Sequence, residues 1–148
     1  MGNAKRTVLI ASDHAGFALK ERLKKNRPDI DWIDKGPMDS ASVDYPDYAD
    51  RVSRAVVRDG HVGVLICGSG QGMAMRANKY REIRAALVWN DEVTKLSRTH
   101  NNANVLVLAA RISNHDDCER WLDIFLKTSF EGGRHTGRVD KIGLPTDC

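Results

Sequence analysis

A thiol stands at the mouth of a glycine-rich turn: Cys67 closes the hydrophobic run "VLIC" and "GSGQG", Gly68 to Gly72, follows it directly. Glycines let backbone N–H groups crowd around an anion where a helix begins. A cysteine facing those donors and the positive end of the next helix should have its thiolate stabilised, which suits a nucleophile or a base. The plain alternative is a small buried hydrophobe at the end of a strand. Familiar loop chemistries do not fit. A cysteine phosphatase loop needs Cys-x5-Arg, and the sixth position after Cys67 is Met73. No Gly-x4-Gly-Lys-[Ser/Thr] string occurs, the glycine spacing misses Gly-x-Gly-x-x-Gly, and the glycines directly beside Ser69 break a Gly-x-Ser-x-Gly elbow. What remains is a loop able to hold an oxyanion beside a thiolate. That pairing suits proton transfer next to a carbonyl, where a base takes the proton and fixed donors stabilise the resulting enediolate.

Three further groups carry chemistry. His100, followed by Asn101 in "SRTHNNANV", closes a helical stretch, where an imidazole either serves as an acid/base or caps the helix dipole. Asp13-His14 forms a second acid/imidazole pair, although the aspartate equally suits a cap on the helix beginning near Gly16. Arg134 and Arg138 in "GGRHTGRVDK" stand four apart, which on a helical turn puts both guanidinium groups on one side and suits a phosphate; solvated surface charge is the alternative. His61, His115 and His135 have no evident partner in the sequence. Neither Cys118 nor Cys148 has a glycine loop or basic cluster beside it.

The elements that must position these groups read as alternating strands and helices, the pattern of a parallel sheet covered on both faces. Strands are expected over Thr7–Ser12, Asp31–Asp34, His61–Cys67, Arg84–Trp89 and Asn104–Ala110, with helices over Phe17–Lys25, Tyr48–Val57, Met73–Tyr80, Glu92–His100 and Asn114–Thr128. The stretch "KGPMDSASVDYPDYAD" reads as one long functional or mobile loop, and the tail from about 129 to 148 as too polar for core. In such a sheet ligands bind at the carboxyl ends of the strands, which brings forward Asp13, His14, Cys67, the glycine loop and Arg111. The 148 residues fit a single domain without staples. An excess of three basic over acidic residues argues against a dedicated nucleic-acid surface but admits an anionic substrate. Three cysteines without CxxC or Cys/His spacing indicate neither a disulfide framework nor a structural metal and point to a reducing, cytoplasmic setting. The absence of a long apolar run or a signal-peptide succession argues against a membrane protein.

Taken in order, "SDHAGFALK", "VDYPDYA", "LICGSGQGMAMRANK", "LSRTHNNANVLVLAAR" and "EGGRHTGRV" closely resemble the type B ribose-5-phosphate isomerase family, which includes galactose-6-phosphate isomerase subunits. The resemblance runs from about Val8 to Val139. It implies a three-layer α/β/α Rossmann-like sandwich on a five-stranded parallel sheet, with no metal or organic cofactor. It also implies a homodimer or dimer of dimers whose active sites are shared between subunits, the C-terminal tail reaching the partner. By residue, it implies Cys67 as the base moving a proton between C1 and C2 of a sugar phosphate, and His100, assisted by Asp13, opening the furanose ring. Gly68, Ser69, Gly70, Gln71, Gly72 and Asn101 would hold the enediolate oxygens. His14, Arg111, Arg134 and Arg138 would grip the phosphate, and Tyr45 would line the sugar site. Some members lack this cysteine and carry a glutamate at the position of Met73, which has no proton to exchange here. Ribose 5-phosphate and ribulose 5-phosphate are the expected pair; galactose 6-phosphate, allose 6-phosphate and a non-catalytic sugar-phosphate binder are the alternatives. Departures at the shortened segment 24–36, at Trp89-Asn90 and in "GQGMAMR" bear on the choice of sugar rather than on the chemistry.

Overall fold

Five Val-, Ile-, Leu- and Ala-rich runs pair as an all-parallel sheet in the computed structural model, which describes residues 4–146; Cys148 lies outside that range. The strands are β1 (Arg6–Ser12), β2 (Ile30–Asp34), β3 (Val62–Cys67), β4 (Ala85–Leu87) and β5 (Val105–Ala109), in the spatial order β2-β1-β3-β5-β4. The central strands are buried on both faces, which is why they read as continuous apolar runs without alternation. Helices α1 (Phe17–Asn26) and α5 (His115–Lys127) pack Leu19, Leu23, Trp121, Leu122 and Phe125 against one face, with Val93 of α4 (Asp91–Thr99) beside them. Helices α2 (Tyr45–Asp59) and α3 (Gln71–Ala77) cover the other face with Ala49, Val52, Val56, Met73 and Ala77. The expected three-layer α/β/α sandwich is therefore observed.

Three differences from the sequence reading matter for the site. Helix α2 begins at Tyr45, with Pro46 in its first turn, so the supposed long loop is only its first half. Proline at a helix start lacks only an N–H that would be unpaired there anyway. Strand β4 is only three residues long and pairs with β5 alone; the flanking polar groups are used otherwise. The Arg84 N–H donates to Asn104 Oδ1 at 2.7 Å, and Asn90 caps α4 by accepting from the Val93 N–H at 2.7 Å. Finally, the tail forms a 3-10 turn over Gly133–His135 and a last helix, α6 (Thr136–Ile142). It is mostly exposed as expected, but His135 and Val139 are buried: alternate turns of a short helix laid on the body must cover one side.

One buried charge was not legible in the sequence. Lys20 on α1 is fully buried, and its ammonium donates to Asp34 Oδ2 and to the Pro37 carbonyl, each at 2.7 Å. Burial pushes the Asp34 carboxyl up, but hydrogen bonds from Lys20 and Lys24 outweigh it and hold it below the usual carboxylate range. This pair fixes the loop after β2, whose Val43 N–H donates to His14 Nδ1 at 3.3 Å.

Candidate active site

Because all five strands are parallel, β1 and β3 deliver the residues that follow them to the same edge of the sheet. Asp13 and His14 follow β1, and Cys67 ends β3 with the glycine loop behind it. Asp13, Tyr45, Cys67, Gly68, Ser69, Gly72, Arg111 and Ile112 line one cleft of about 480 Å³. Its walls are tightly built. Gly70 starts α3 with φ +75°, a left-handed conformation that glycine adopts without strain, and a Cβ there would lie 2.3 Å from Leu87 Cδ1. A Cβ at Gly72 would lie 2.4 Å from Tyr45 Cε2 and Cζ, so the hydroxyl end of this ring lies against the loop. The Arg111 N–H donates to the Gly68 carbonyl at 3.0 Å, and its side chain passes over Gly68.

Within that cleft the hydrogen-bond inventory favours an oxyanion. Ser69 Oγ accepts from the Gln71 N–H at 3.3 Å, whereas the N–H groups of Gly68, Ser69, Gly70 and Gly72 meet no acceptor among the described residues. Cys67 lines the cleft and is buried, and Asp13 is nearly as buried. One oxygen of Asp13 accepts from the Gly16 N–H at 3.0 Å, so the aspartate does cap the entry to α1 while its other oxygen carries no such bond. Gln71 is exposed at the first position of α3.

A second group gathers at the opposite edge of the sheet. Helix α4 runs back from the carboxyl end of β4, so its C-cap, His100, arrives where β5 begins. Cys67 pairs with Ala109, at the far end of β5 from that point. At about 3.3 Å per residue the six residues of β3 put roughly 16 Å between the two edges. The Glu131 N–H donates to the Thr99 carbonyl at 3.1 Å and draws the tail onto this end of α4. Arg98, partly buried over the Phe125 ring, secures the same corner by donating from Nε to the Thr128 carbonyl at 3.0 Å and from Nη1 to Asn102 Oδ1 at 3.0 Å. Asn102 has φ +47°, a conformation asparagine tolerates better than most residues, and the turn leaves Asn101 exposed. Arg134 and Arg138, both exposed, stand on the adjoining 3-10 turn and α6.

The structure thus brings Asp13, Tyr45, Cys67, the loop and Arg111 together, with His14 beside them, and places His100, Asn101, Arg134 and Arg138 elsewhere in the same chain. The sequence reading left His135 without a partner; its ring is buried and stacks on His100 with centroids 4.2 Å apart and planes 17° apart. Only the tail's fold-back, which no local pattern announced, creates that contact. His100, Glu131 and His135 offer ligand atoms within 4.8 Å of one another. Their arrangement suits a metal poorly: near-parallel rings send their lone pairs side by side rather than toward one point, and Arg134 Nε lies 3.4 Å from His135 Nε2. A cavity of about 830 Å³ lies under β4 and α6 and includes Asn101 but no thiol or imidazole. The cleft at Cys67 is smaller, yet it combines an acid, a thiol and unpaired donors. Neither segment 24–36 nor Trp89-Asn90 lines that cleft: Asn90 is the α4 cap, and Trp89 is exposed. No described helix is long and apolar enough to cross a membrane.

Comparison with known proteins agrees with the fold. Residues 8–142 match the Ribose/Galactose Isomerase family. The chain is 44% identical over 142 residues to the Mycoplasma genitalium protein named "Probable ribose-5-phosphate isomerase B", covering 91% of this chain and 92% of that one. The crystal structure of a ribose 5-phosphate isomerase from Thermotoga maritima superposes with TM-score 0.91 at 43% identity, covering 95% of this chain and 99% of the other. The structure of ribose-5-phosphate isomerase B from Mycoplasma genitalium with bound ribulose 5-phosphate superposes with TM-score 0.88 at 40% identity, covering 95% of each chain.

Proposed function

The chain belongs to the ribose/galactose isomerase family, and from that premise we propose that it interconverts ribose 5-phosphate and ribulose 5-phosphate by a 1,2-proton transfer with Cys67 as the base. One observation carries the reading: a single cleft holds the Cys67 thiol, the Asp13 carboxylate, the Arg111 guanidinium and a run of N–H groups with no protein acceptor. Once the sugar is open, the Cys67 thiolate takes the C2 proton and the electron pair moves to the aldehyde oxygen, giving an enediolate. The loop donors stabilise its oxygens where the charge develops. A proton passes from O2 to O1, Cys67 returns its proton to C1, and the carbonyl is left at C2. Arg111 and His14 suit the phosphate, the former with a planar fork of donors and the latter held by the Val43 N–H. Tyr45 lines the sugar.

Ring opening by His100 and further phosphate contacts from Arg134 and Arg138 need groups at the far edge of the sheet. The reading therefore places His100, Asn101, Arg134 and Arg138 of a second copy against the cleft at Cys67, so that two copies make two shared sites.

The test is an isomerisation assay on five- and six-carbon phosphosugars with wild type and Cys67→Ala. A general base is worth about 10²- to 10⁴-fold, so the variant should lose that much rate while still binding substrate. Solvent deuterium should enter at C2 of ribose 5-phosphate during turnover. A loss below about tenfold removes Cys67 from the role of base. Turnover of a 6-phosphohexose in preference to the pentose moves the substrate but keeps the mechanism.

A further inference from the structure

His135 is the one buried histidine of the described chain, and its surroundings are specific. Its ring lies face to face with His100, 4.2 Å between centroids and 17° between planes. Three groups from its own segment surround it: Glu131, whose Oε1 lies 3.8 Å from Nε2, Arg134, whose Nε lies 3.4 Å from the same nitrogen, and Arg138. From α4, His100 is the facing group. Burial first, then the charges of His100 and Arg134, hold His135 below the ordinary histidine value, against a smaller pull from Glu131. His100 is only half-buried and sits at a helix end, with no hydrogen bond to its side chain among the described residues, so the stack is the contact that fixes the tilt of its ring.

We infer that His135 is a positioning residue: its buried ring, stacked on His100, holds that imidazole in the orientation needed to move a proton at the ring oxygen of a furanose substrate. The inference rests on the isomerase reading and adds a residue that neither the motifs nor the cleft pointed to. A tail folded back by the Glu131–Thr99 hydrogen bond thereby sets the geometry of a group contributed by α4. His135 itself is buried behind His100 and touches no substrate.

Ribose 5-phosphate and ribulose 5-phosphate differ in a way that isolates this step. The aldose is mostly a closed furanose, whereas the ketose has its O5 blocked by phosphate and stays open. Conversion of ribose 5-phosphate therefore needs ring opening, while exchange of the C1 hydrons of ribulose 5-phosphate with deuterated solvent needs only the proton transfer at Cys67. With His135→Ala, ribose 5-phosphate conversion should fall by about tenfold or more, as misorientation of a proton-transfer group commonly does, while C1 exchange stays within about threefold of wild type. His135→Phe keeps a stacking ring without its nitrogens and should restore most of the lost rate. In a His100→Ala background, His135→Ala should cost nothing further, because the two act as one unit. The inference is overturned if His135→Ala converts ribose 5-phosphate at the wild-type rate. It is equally overturned if both measurements fall together, which is general damage to the fold, or if His135→Phe is as slow as His135→Ala. If wild type converts no phosphosugar at all, the isomerase reading itself fails, an outcome recognisable without any variant.

Discussion

At Cys67 the decisive neighbours are the ones without an exchangeable proton. Met73, fully buried, belongs to the same apolar cluster as Cys67, so the core side of Cys67 is apolar while its other side lines the cleft. Of the groups lining that cleft, Asp13 has one oxygen committed to the Gly16 N–H and Ser69 accepts from Gln71. On the proposed reading it is the thiol, rather than either of these, that exchanges a proton with carbon. His135 gives a different prediction at the same scale. Its folded-state proton affinity is below the ordinary value of 6.5, so the unfolded chain takes up the proton first as pH falls. The stability this burial confers is full above 6.5 and is lost as pH drops from there through the lower folded value. Denaturant midpoints measured at about pH 7.5 and about pH 5.5 should differ more for wild type than for His135→Phe, in the sense of weaker folding at the acid end. Equal differences would place the pH dependence on other groups.

Among the elements, α4 links most of the molecule's corners. Its start is capped by Asn90, and Asp91 in its first turn accepts from Arg120 Nε and Trp121 Nε1 on α5 at 3.0 and 2.9 Å. Its end presents His100 and meets the tail. Trp89-Asn90 stood out in the sequence as an unusual pair after the fourth strand, and the structure gives Asn90 a role of its own, an acceptor for an N–H that the helix cannot pair. Asn90→Ala should cost about 1 kcal/mol and lower Tm by about 2–4 °C, read by thermal denaturation, while Asn90→Ser should stay near wild type because a serine hydroxyl can accept the same bond. An unchanged Tm in the alanine variant would mean that packing of α4 on α5 supplies nearly all of its stability. The Trp89 indole is exposed and makes no hydrogen bond among the described residues.

Across the whole molecule, the residues around Cys67 and those around His100 lie at opposite edges of one sheet, and the proposed shared site makes a quantitative prediction. Cys67→Ala and His100→Ala chains, each inactive alone, should regain activity when unfolded together and refolded as a mixture: a mixed pair holds one site with both groups intact. Random pairing gives about half mixed dimers with one working site of two, hence about a quarter of wild-type activity. No recovery in a mixture shown to contain mixed pairs would put both groups in one chain's site. The sequence by itself determined the layers and the edge of the sheet at which Cys67 and its glycine loop stand. The apolar runs could only be strands buried on both faces, and a cysteine followed at once by Gly68 to Gly72 had to lie at the carboxyl edge of such a sheet, because parallel strands all end there. Asp13 and His14 were legible for the same reason. Only the tertiary structure decided which candidates meet. His100 is remote from Cys67 because a crossover helix returns to the edge its next strand starts from. His135 stacks on it because the tail turns back along that edge, and Lys20 is buried because Asp34 and the Pro37 carbonyl await it. Each is a contact between segments far apart in the chain, set by packing rather than by local spacing, and so invisible to any pattern read along the sequence.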